Sequence, residues 1–294
     1  MSKEKVLYFE AQDGISGDMT LGALIDLGAD ADQVRRELDK FVPEKYGLVA
    51  HPFERNGIHG INLDVLVEDH DEDHDEHVDL GDLVHQFNFE GPEDESNGLG
   101  DYVHEFEFFN PADEHHAHGH RHYSDIQAMI RGSGITERAK SYALAIFDVI
   151  ADAEAAVHRT DKDKVAFHEV GAMDSIIDIV GTAIAVDLLG ATRFFCAAPH
   201  DGSGTIVCRH GIIPVPVPAV MEMAKDSGIP IVIEDDVNTE MITPTGYGIL
   251  KGLGAKLEPH LGIHAEKVGY GFGNRNTGRF GAVRITLGTL FEEE

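Results

Sequence analysis

The stretch His168-Glu-Val-Gly-Ala-Met-Asp174-Ser-Ile-Ile-Asp178-Ile-Val-Gly181 decides how this chain is read. From Asp174 the pattern predicts a helix that runs through Thr-Ala-Ile-Ala-Val-Asp-Leu-Leu to a glycine C-cap at Gly190. Ile176, Ile177, Val180, Ile184 and Leu188 recur at three- and four-residue spacing and draw one apolar stripe. Asp174, Asp178 and Thr182 lie four apart and stack on another face. Like charges at that spacing repel by a few tenths of a kcal/mol. Either these are two solvated acids on an amphipathic helix, or the helix holds a cation or a substrate beside His168 and Glu169. Both readings stand at this point.

Two further stretches place chemistry at the start of a helix. Val6 to Phe9 predicts a buried strand, which runs into Glu10-Ala-Gln-Asp13-Gly-Ile-Ser16-Gly17-Asp18-Met-Thr20 and then a helix through Gly28. Ser16 or Asp18 suits the N-cap. Such a junction presents backbone N–H groups and a positive helix end to a phosphate or carboxylate. Gly14 and Gly17 fit neither the P-loop nor the dinucleotide pattern. Asp13 and Asp18 together exceed what capping needs, and a metal or a substrate hydroxyl would use them. Met241-Ile-Thr243-Pro-Thr245-Gly is the second junction, where Thr243 or Thr245 caps or binds an anion.

The remaining pattern predicts helices over 30–41, 123–132, 136–158 and 219–225. Strands are predicted over 47–67, with a turn at Arg55-Asn-Gly, and over 193–198, 263–270 and 279–290. Prolines 214, 216 and 218 exclude a central strand there, and Pro218 opens a helix. The glycine run over 269–278 has no following helix and is not read as nucleotide-binding. We expect an α+β fold, a mixed sheet with packed helices. A doubly wound α/β arrangement is the alternative, since strand–helix alternation recurs at 6–28 and 193–225.

Composition bounds the function. The formal net charge is −30, from 53 acids against 23 bases, which argues against nucleic acid as a partner. No run of eighteen apolar residues and no secretory leader pattern occur, so a cytoplasmic location without a membrane span is expected. Only Cys196 and Cys208 are present, too few for a disulfide framework. The acidity is local: no Lys or Arg occurs between Arg55 and Arg121. That segment holds Asp69-His70-Asp-Glu-Asp-His74-Asp-Glu-His77 and His115-His116-Ala-His118-Gly-His120-Arg-His122. Imidazoles so dense favour nickel, copper or zinc, and no fixed four-ligand spacing is visible. We therefore read residues 69–122 as a flexible metal-collecting insertion between 1–68 and 123–294. The plainer reading is a solvated acidic insertion with incidental histidines.

Six motifs in register carry a resemblance that spans nearly the whole chain. They are Asp-Gly-Ile-Ser-Gly-Asp-Met (13–19), the histidine tract at 115–122, the stretch 168–181, His-Gly-Ile-Ile-Pro-Val-Pro-Val-Pro (210–218), Thr-Pro-Thr-Gly (243–246) and Val-Gly-Tyr-Gly (268–271). Together they resemble the nickel-pincer cofactor biosynthesis family known as LarC. The resemblance implies nickel insertion into pyridinium-3,5-bisthiocarboxylic acid mononucleotide, a lyase-class cyclometallation. It implies CTP with manganese or magnesium as cofactors, and a product that serves lactate racemase maturation. Full-length relatives continue past the Val-Gly-Tyr-Gly segment into a domain that binds the CTP–metal complex. The resemblance therefore implies a separate C-terminal companion, and self-association of the chain is left open.

Forming a nickel–carbon bond at a pyridinium carbon requires loss of its proton, which a neutral histidine or a carboxylate accepts. We expect His168, Glu169, Asp174 and Asp178 at the reacting centre. Asp13, Ser16, Gly17 and Asp18 are expected to hold the substrate phosphate or a second metal, with His210, Thr243 and Thr245 closing the pocket. The histidine tracts would raise the local nickel concentration. Two competing classes are a nickel-storage or delivery protein without chemistry, and a metal-dependent hydrolase using Asp13, Asp18, Asp174 and Asp178.

Overall fold

The computed structural model describes residues 4–42, 45–67, 121–167 and 170–291. Its centre is a seven-stranded mixed sheet. Strand β1 (Lys5–Glu10) pairs antiparallel with β13 (Ala282–Leu290), in register from Lys5 opposite Thr289 to Glu10 opposite Arg284. On its other side β1 is parallel to β6 (Arg193–Cys196), and β6 is parallel to β11 (Lys256–Leu257). Beyond β13 lie β12 (Ile263–Phe272), antiparallel to it, then β3 (Ile58–Val67) and β2 (Tyr46–Arg55). The β2–β3 turn is the predicted one: Asn56 and Gly57 take φ of 54° and 76°, the left-handed pair that an Asn-Gly hairpin requires. Strands before and after residues 69–118 thus join one sheet, through Ile61 of β3 beside Gly271 of β12. With β13 antiparallel to both its neighbours, the arrangement is α+β and not doubly wound.

Helices α1 (Gly17–Asp26), α2 (Ala31–Leu38), α3 (Tyr123–Gly132), α4 (Glu137–His158), α5 (Met173–Leu189), α6 (Pro218–Ala224) and α7 (Pro244–Gly252) join the sheet, and β4 (Arg121–His122) with β5 (Ala166–Phe167) and β7 (His200–Asp201) with β10 (Val232–Ile233) form separate two-stranded pairings. Leu7, Phe9, Val283, Ile285 and Leu287, alternate residues of β1 and β13, turn one face of the sheet into the core that the helices cover. The predicted stripe on α5 is only part of what it buries. Ile176, Ile177, Ile179, Val180, Ala183 and Val186 are all closed to solvent, so this helix is surrounded rather than laid on a surface. Gly190 ends it at φ 72°.

Helix α1 lies on β12 at backbone distance. A Cβ at Gly271 would stand 1.8 Å from the Met19 carbonyl oxygen, and one at Gly269 would stand 2.3 Å from that of Ala23. Ordinary side chains there would push the helix off the sheet. Replacing Gly271 by Ala is therefore expected to cost about 1–3 kcal/mol or more, the scale of core overpacking. Gly132→Ala, with nothing within 4 Å of the added methyl, should be neutral or slightly stabilising. Denaturant unfolding of both variants checks this, and equal midpoints would remove the close-approach argument.

Candidate functional site

Two helix N-termini meet at one place. The chain leaving β1 passes Gly14, whose φ of 93° and the Met241 carbonyl oxygen, which would stand 2.2 Å from an added Cβ, exclude a side chain. Ile15 then donates its N–H to Met241 O at 2.9 Å and accepts from Thr243 N–H at 3.1 Å. These two bonds tie the loop before α1 to the loop before α7. A Cβ at Gly246 would be 2.1 Å from the Ile15 carbonyl, so α7 sits directly on the start of α1. Thr243 caps α7 by accepting from Gly246 N–H at 3.1 Å, and its hydroxyl lies 2.7 Å from that of Thr245. Ser16 occupies the N-cap position of α1 but does not cap with its side chain; its hydroxyl bonds to Asp18.

A cleft of about 340 Å³ opens where these ends meet, walled by Ser16, Gly17, Asp18, Asp174, Asp178 and Thr245 among others. Gly17 lets α1 come this close to α5: a Cβ there would be 2.7 Å from Asp178 Cβ. Asp178 is no solvated acid. Its Oδ1 is closed to solvent without a partner, and burial, then the Asp18 and Asp174 carboxylates, push its pKa well above the usual range. One turn on, Thr182 is fully buried and its hydroxyl also lacks a partner. Asp18 is raised too, chiefly by burial, with bonds from Ser16 and from the backbone at Met19 opposing. Two carboxylates are thus held together where water is scarce, and both favour a proton or a cation over bare charge.

A second cleft of about 210 Å³ adjoins the first, with Ser16, Asp18, Glu240, Thr243 and Asn274 in both linings. Asp13 and Arg275 line it. Arg275 donates to the Glu240 carbonyl at 2.7 Å and to its carboxylate at 3.2 Å. Asp13 is raised by burial, with Arg279 and His200 pulling the other way. Around it His200 Nδ1 lies 2.6 Å from Glu234, and Glu234 accepts from Arg279 at 2.8 Å. The segment carrying Glu240 and Thr243 is set by Asp201, whose buried Oδ1 accepts from Gly202, Met241 and Ile242 N–H at 2.8, 2.7 and 3.1 Å.

Of the residues singled out from sequence, Asp13, Ser16, Gly17, Asp18, Asp174, Asp178, Thr243 and Thr245 line one or both clefts. His210 lines neither. It stands at the turn joining β8 (Thr205–Cys208) to β9 (Gly211–Pro214), beside Cys208 and the end of α4. The three prolines that keep this segment out of the main sheet leave it in its own two-stranded hairpin. His168 and Glu169 lie outside the described residues, although Val170, next in sequence, lines the first cleft. His70, His74, His77, His115, His116, His118 and His120 lie outside them as well. His122 starts α3, its N–H donating to Asp125 at 3.3 Å. Among the described residues no group of three or more His, Cys, Asp or Glu side chains is placed to hold a metal ion. None of their helices is long and apolar enough to cross a membrane.

Sequence reading missed Glu240, Asn274, Arg275 and Asp64. Asn274 joins the wall through Asn62 at 2.7 Å and Asp64 at 3.1 Å. Its glycine-rich loop lacks a following helix, as the sequence indicated, yet supplies side chains to both clefts. A signal was available in the clustering of Asn274, Arg275 and Asn276 between glycines.

A sequence profile of the family described as nickel insertion protein matches residues 7–294. The chain belongs to that family. A relative from Acetivibrio thermocellus named pyridinium-3,5-bisthiocarboxylic acid mononucleotide nickel insertion protein is 40% identical over 99% of this chain and 62% of its own length. The protein of the same name from Lactiplantibacillus plantarum is 43% identical over 96% of this chain and 61% of its own length. That from Staphylococcus epidermidis is 35% identical over 92% and 56%. This family member thus spans less than two thirds of those relatives. No solved structure matches the chain.

The carboxylate pair makes a signed prediction for stability. Asp18 and Asp178 bind protons more tightly folded than unfolded, so the folded state is favoured in acid. Their contribution is lost as pH rises from about 4, the ordinary carboxylate value, through the raised folded values. Asp178→Asn should flatten that decline and raise the melting temperature at pH 7 by about 2–4 °C, the shift that ~1 kcal/mol gives in a domain of this size. A variant that melts lower at pH 7 and higher in acid would contradict the assignment.

Proposed function

We propose that this chain carries the insertion centre for nickel into pyridinium-3,5-bisthiocarboxylic acid mononucleotide. The observation that carries the reading is the pair Asp18 and Asp178, both withdrawn from water beside two helix N-termini, with Asp178 Oδ1 left without a partner. The substrate's phosphate suits the helix ends and Arg275 in the second cleft. Its ring then reaches the first cleft. There the carbon that receives nickel loses a proton as the metal takes the bonding electron pair, and Asp178 accepts that proton. Burial makes Asp178 a stronger base than a surface carboxylate, which suits proton removal from carbon. His168 and Glu169 belong to the same proposal, as neighbours in sequence of Val170.

Nickel is the substrate's cargo. In the product its ligands are two sulfurs and a carbon of the cofactor, so the protein needs only to present the ion. The histidine-rich segment is the proposed collector. CTP with magnesium or manganese, the lyase-class cyclometallation and a C-terminal companion rest on the family likeness. Maturation of lactate racemase rests on it too.

Mass-spectrometric detection of the nickel-bearing cofactor tests this, using the full chain with substrate, nickel, magnesium, CTP and a separately produced companion. Asp178→Asn is expected to lower turnover at least 100-fold, within the usual range for a general base. Unchanged turnover in a folded Asp178→Asn chain would sink the proton-acceptor role. Deleting residues 69–122 should preserve turnover when nickel is plentiful, which a pure storage protein would not do.

A further inference from the structure

Two threonines on the helices that wall the first cleft meet the same problem differently. Thr20 of α1 and Thr182 of α5 are both closed to solvent. Thr20 donates its hydroxyl to the Ser16 carbonyl, one turn back, at 2.7 Å, a common outlet for a threonine inside a helix. Thr182 makes no such bond with the Asp178 carbonyl, and its hydroxyl is left without a partner. A buried hydroxyl in that state weakens a fold, and Val would fill nearly the same space without it.

The other buried side-chain atom of α5 without a partner is one turn away: Asp178 Oδ1. Residues four apart on a helix have Cβ atoms about 5–6 Å apart, and each Cα–Cβ bond tilts toward the helix N-terminus. Thr182 therefore leans over the turn that carries Asp178. Leu21 of α1 and Leu38 of α2 close over the adjacent Gly181, where an added Cβ would stand 2.7 Å from Leu21 Cδ2 and 3.6 Å from Leu38 Cδ1. The two oxygens of Asp178 have different surroundings. Oδ1 is enclosed. Oδ2 lies on the side of Gly17, 2.9 Å from where a Cβ on that residue would stand, and Gly17 and Asp178 both line the first cleft. A carboxylate oxygen accepts and a hydroxyl donates, so each orphan has what the other lacks.

We propose that Thr182 is a positioning residue for Asp178. Its hydroxyl serves the inward Oδ1, directly or through one enclosed water, and so holds Oδ2 toward the cleft. The role rests on the proposed function. In that step a ring C–H bond breaks, its electron pair forms the bond to nickel, and the proton goes to Oδ2. Thr182 lines neither cleft, so it acts on the substrate only through Asp178. Without an anchor at Oδ1 the carboxylate turns about its Cβ–Cγ bond. A base so misplaced loses rate rather than substrate affinity.

The pairing is tested first by thermal melting of the full chain at pH 7, with no substrate present. Thr182→Val is expected to lower the melting temperature by about 2–4 °C, and by less than about 1 °C when Asp178 is already Ala. An equal loss in both backgrounds would assign the hydroxyl to a backbone carbonyl, and no loss at all would leave it an orphan. Either result overturns the pairing. The second measurement is formation of nickel-bearing cofactor with the companion, CTP, magnesium and nickel. Thr182→Val should lower kcat about tenfold or more while KM for the mononucleotide stays within about twofold, and Thr182→Ser should recover most of the loss. A native kcat in Thr182→Val, a loss carried by KM, or no recovery in Thr182→Ser would overturn the positioning role. Coupled melts in a chain that forms no cofactor with its companion keep the pair and remove the insertion reading. Cofactor from a native chain whose melts show no coupling removes the pair and leaves that reading in place.

Discussion

The first turn of α1 is held by the absence of side chains on three sides. Gly271 lets it rest on the sheet, Gly17 lets it touch Asp178 of α5, and Gly246 lets α7 stack on the Ile15 carbonyl. Each contact is closer than a methyl group allows, so none of the three elements can shift without opening a gap against another. Packing in protein interiors tolerates little such slack. The two clefts exist because these elements converge, and the position of every cleft-lining residue from Asp13 to Asp18 follows from it.

The same convergence sets the electrostatics. Helix ends gather partial positive charge, and the carboxylates of Asp18, Asp64, Asp174, Asp178 and Glu240 gather negative charge along one wall. Only Glu240 has a guanidinium directly on it, from Arg275. Asp18 and Asp178 are left to raise their proton affinity instead. Polar groups withdrawn from water without partners weaken a fold, and proteins retain them where function needs them. On the other flank the His200–Glu234–Arg279 network and the Asp201 Oδ1 bonds tie loops together, while Asp201 Oδ2 and Arg279 Nε are themselves buried without partners.

Much of this was legible in the sequence because it is local. The α5 period, the Gly190 cap, the Asn-Gly hairpin and the two loop-to-helix junctions are each decided within a dozen residues. That Asp174, Asp178 and Thr182 share a face was legible too. The withdrawal of Asp178 and Thr182 from water was not, since it depends on α1 and α2 covering the polar side of α5 as well, while Asp174 stays exposed. Thr182 is enclosed for that reason, not because its neighbours predict it. Glu240 and Asn274 reach the site through contacts with Arg275, Asn62 and Asp64, spread over more than two hundred positions, and no short window contains such a relation. His210 was misplaced by proximity of motifs in sequence: the proline-rich segment folds on itself and ends against α4.

Pairing β1 with the distant β13 has a consequence for how the protein comes into being. Lys5 of β1 meets Thr289 of β13, and β13 is also the neighbour that joins β12 and β3 to that edge. A chain emerging from the ribosome can form α1, α4 and α5 early. The sheet's middle position stays vacant until nearly all of the span has been translated. Contacts so remote in sequence slow folding and leave apolar strand faces uncovered in the meantime. Leu7 and Phe9 must therefore wait, beside β6 alone, for Leu287 and Ile285 of a strand far downstream.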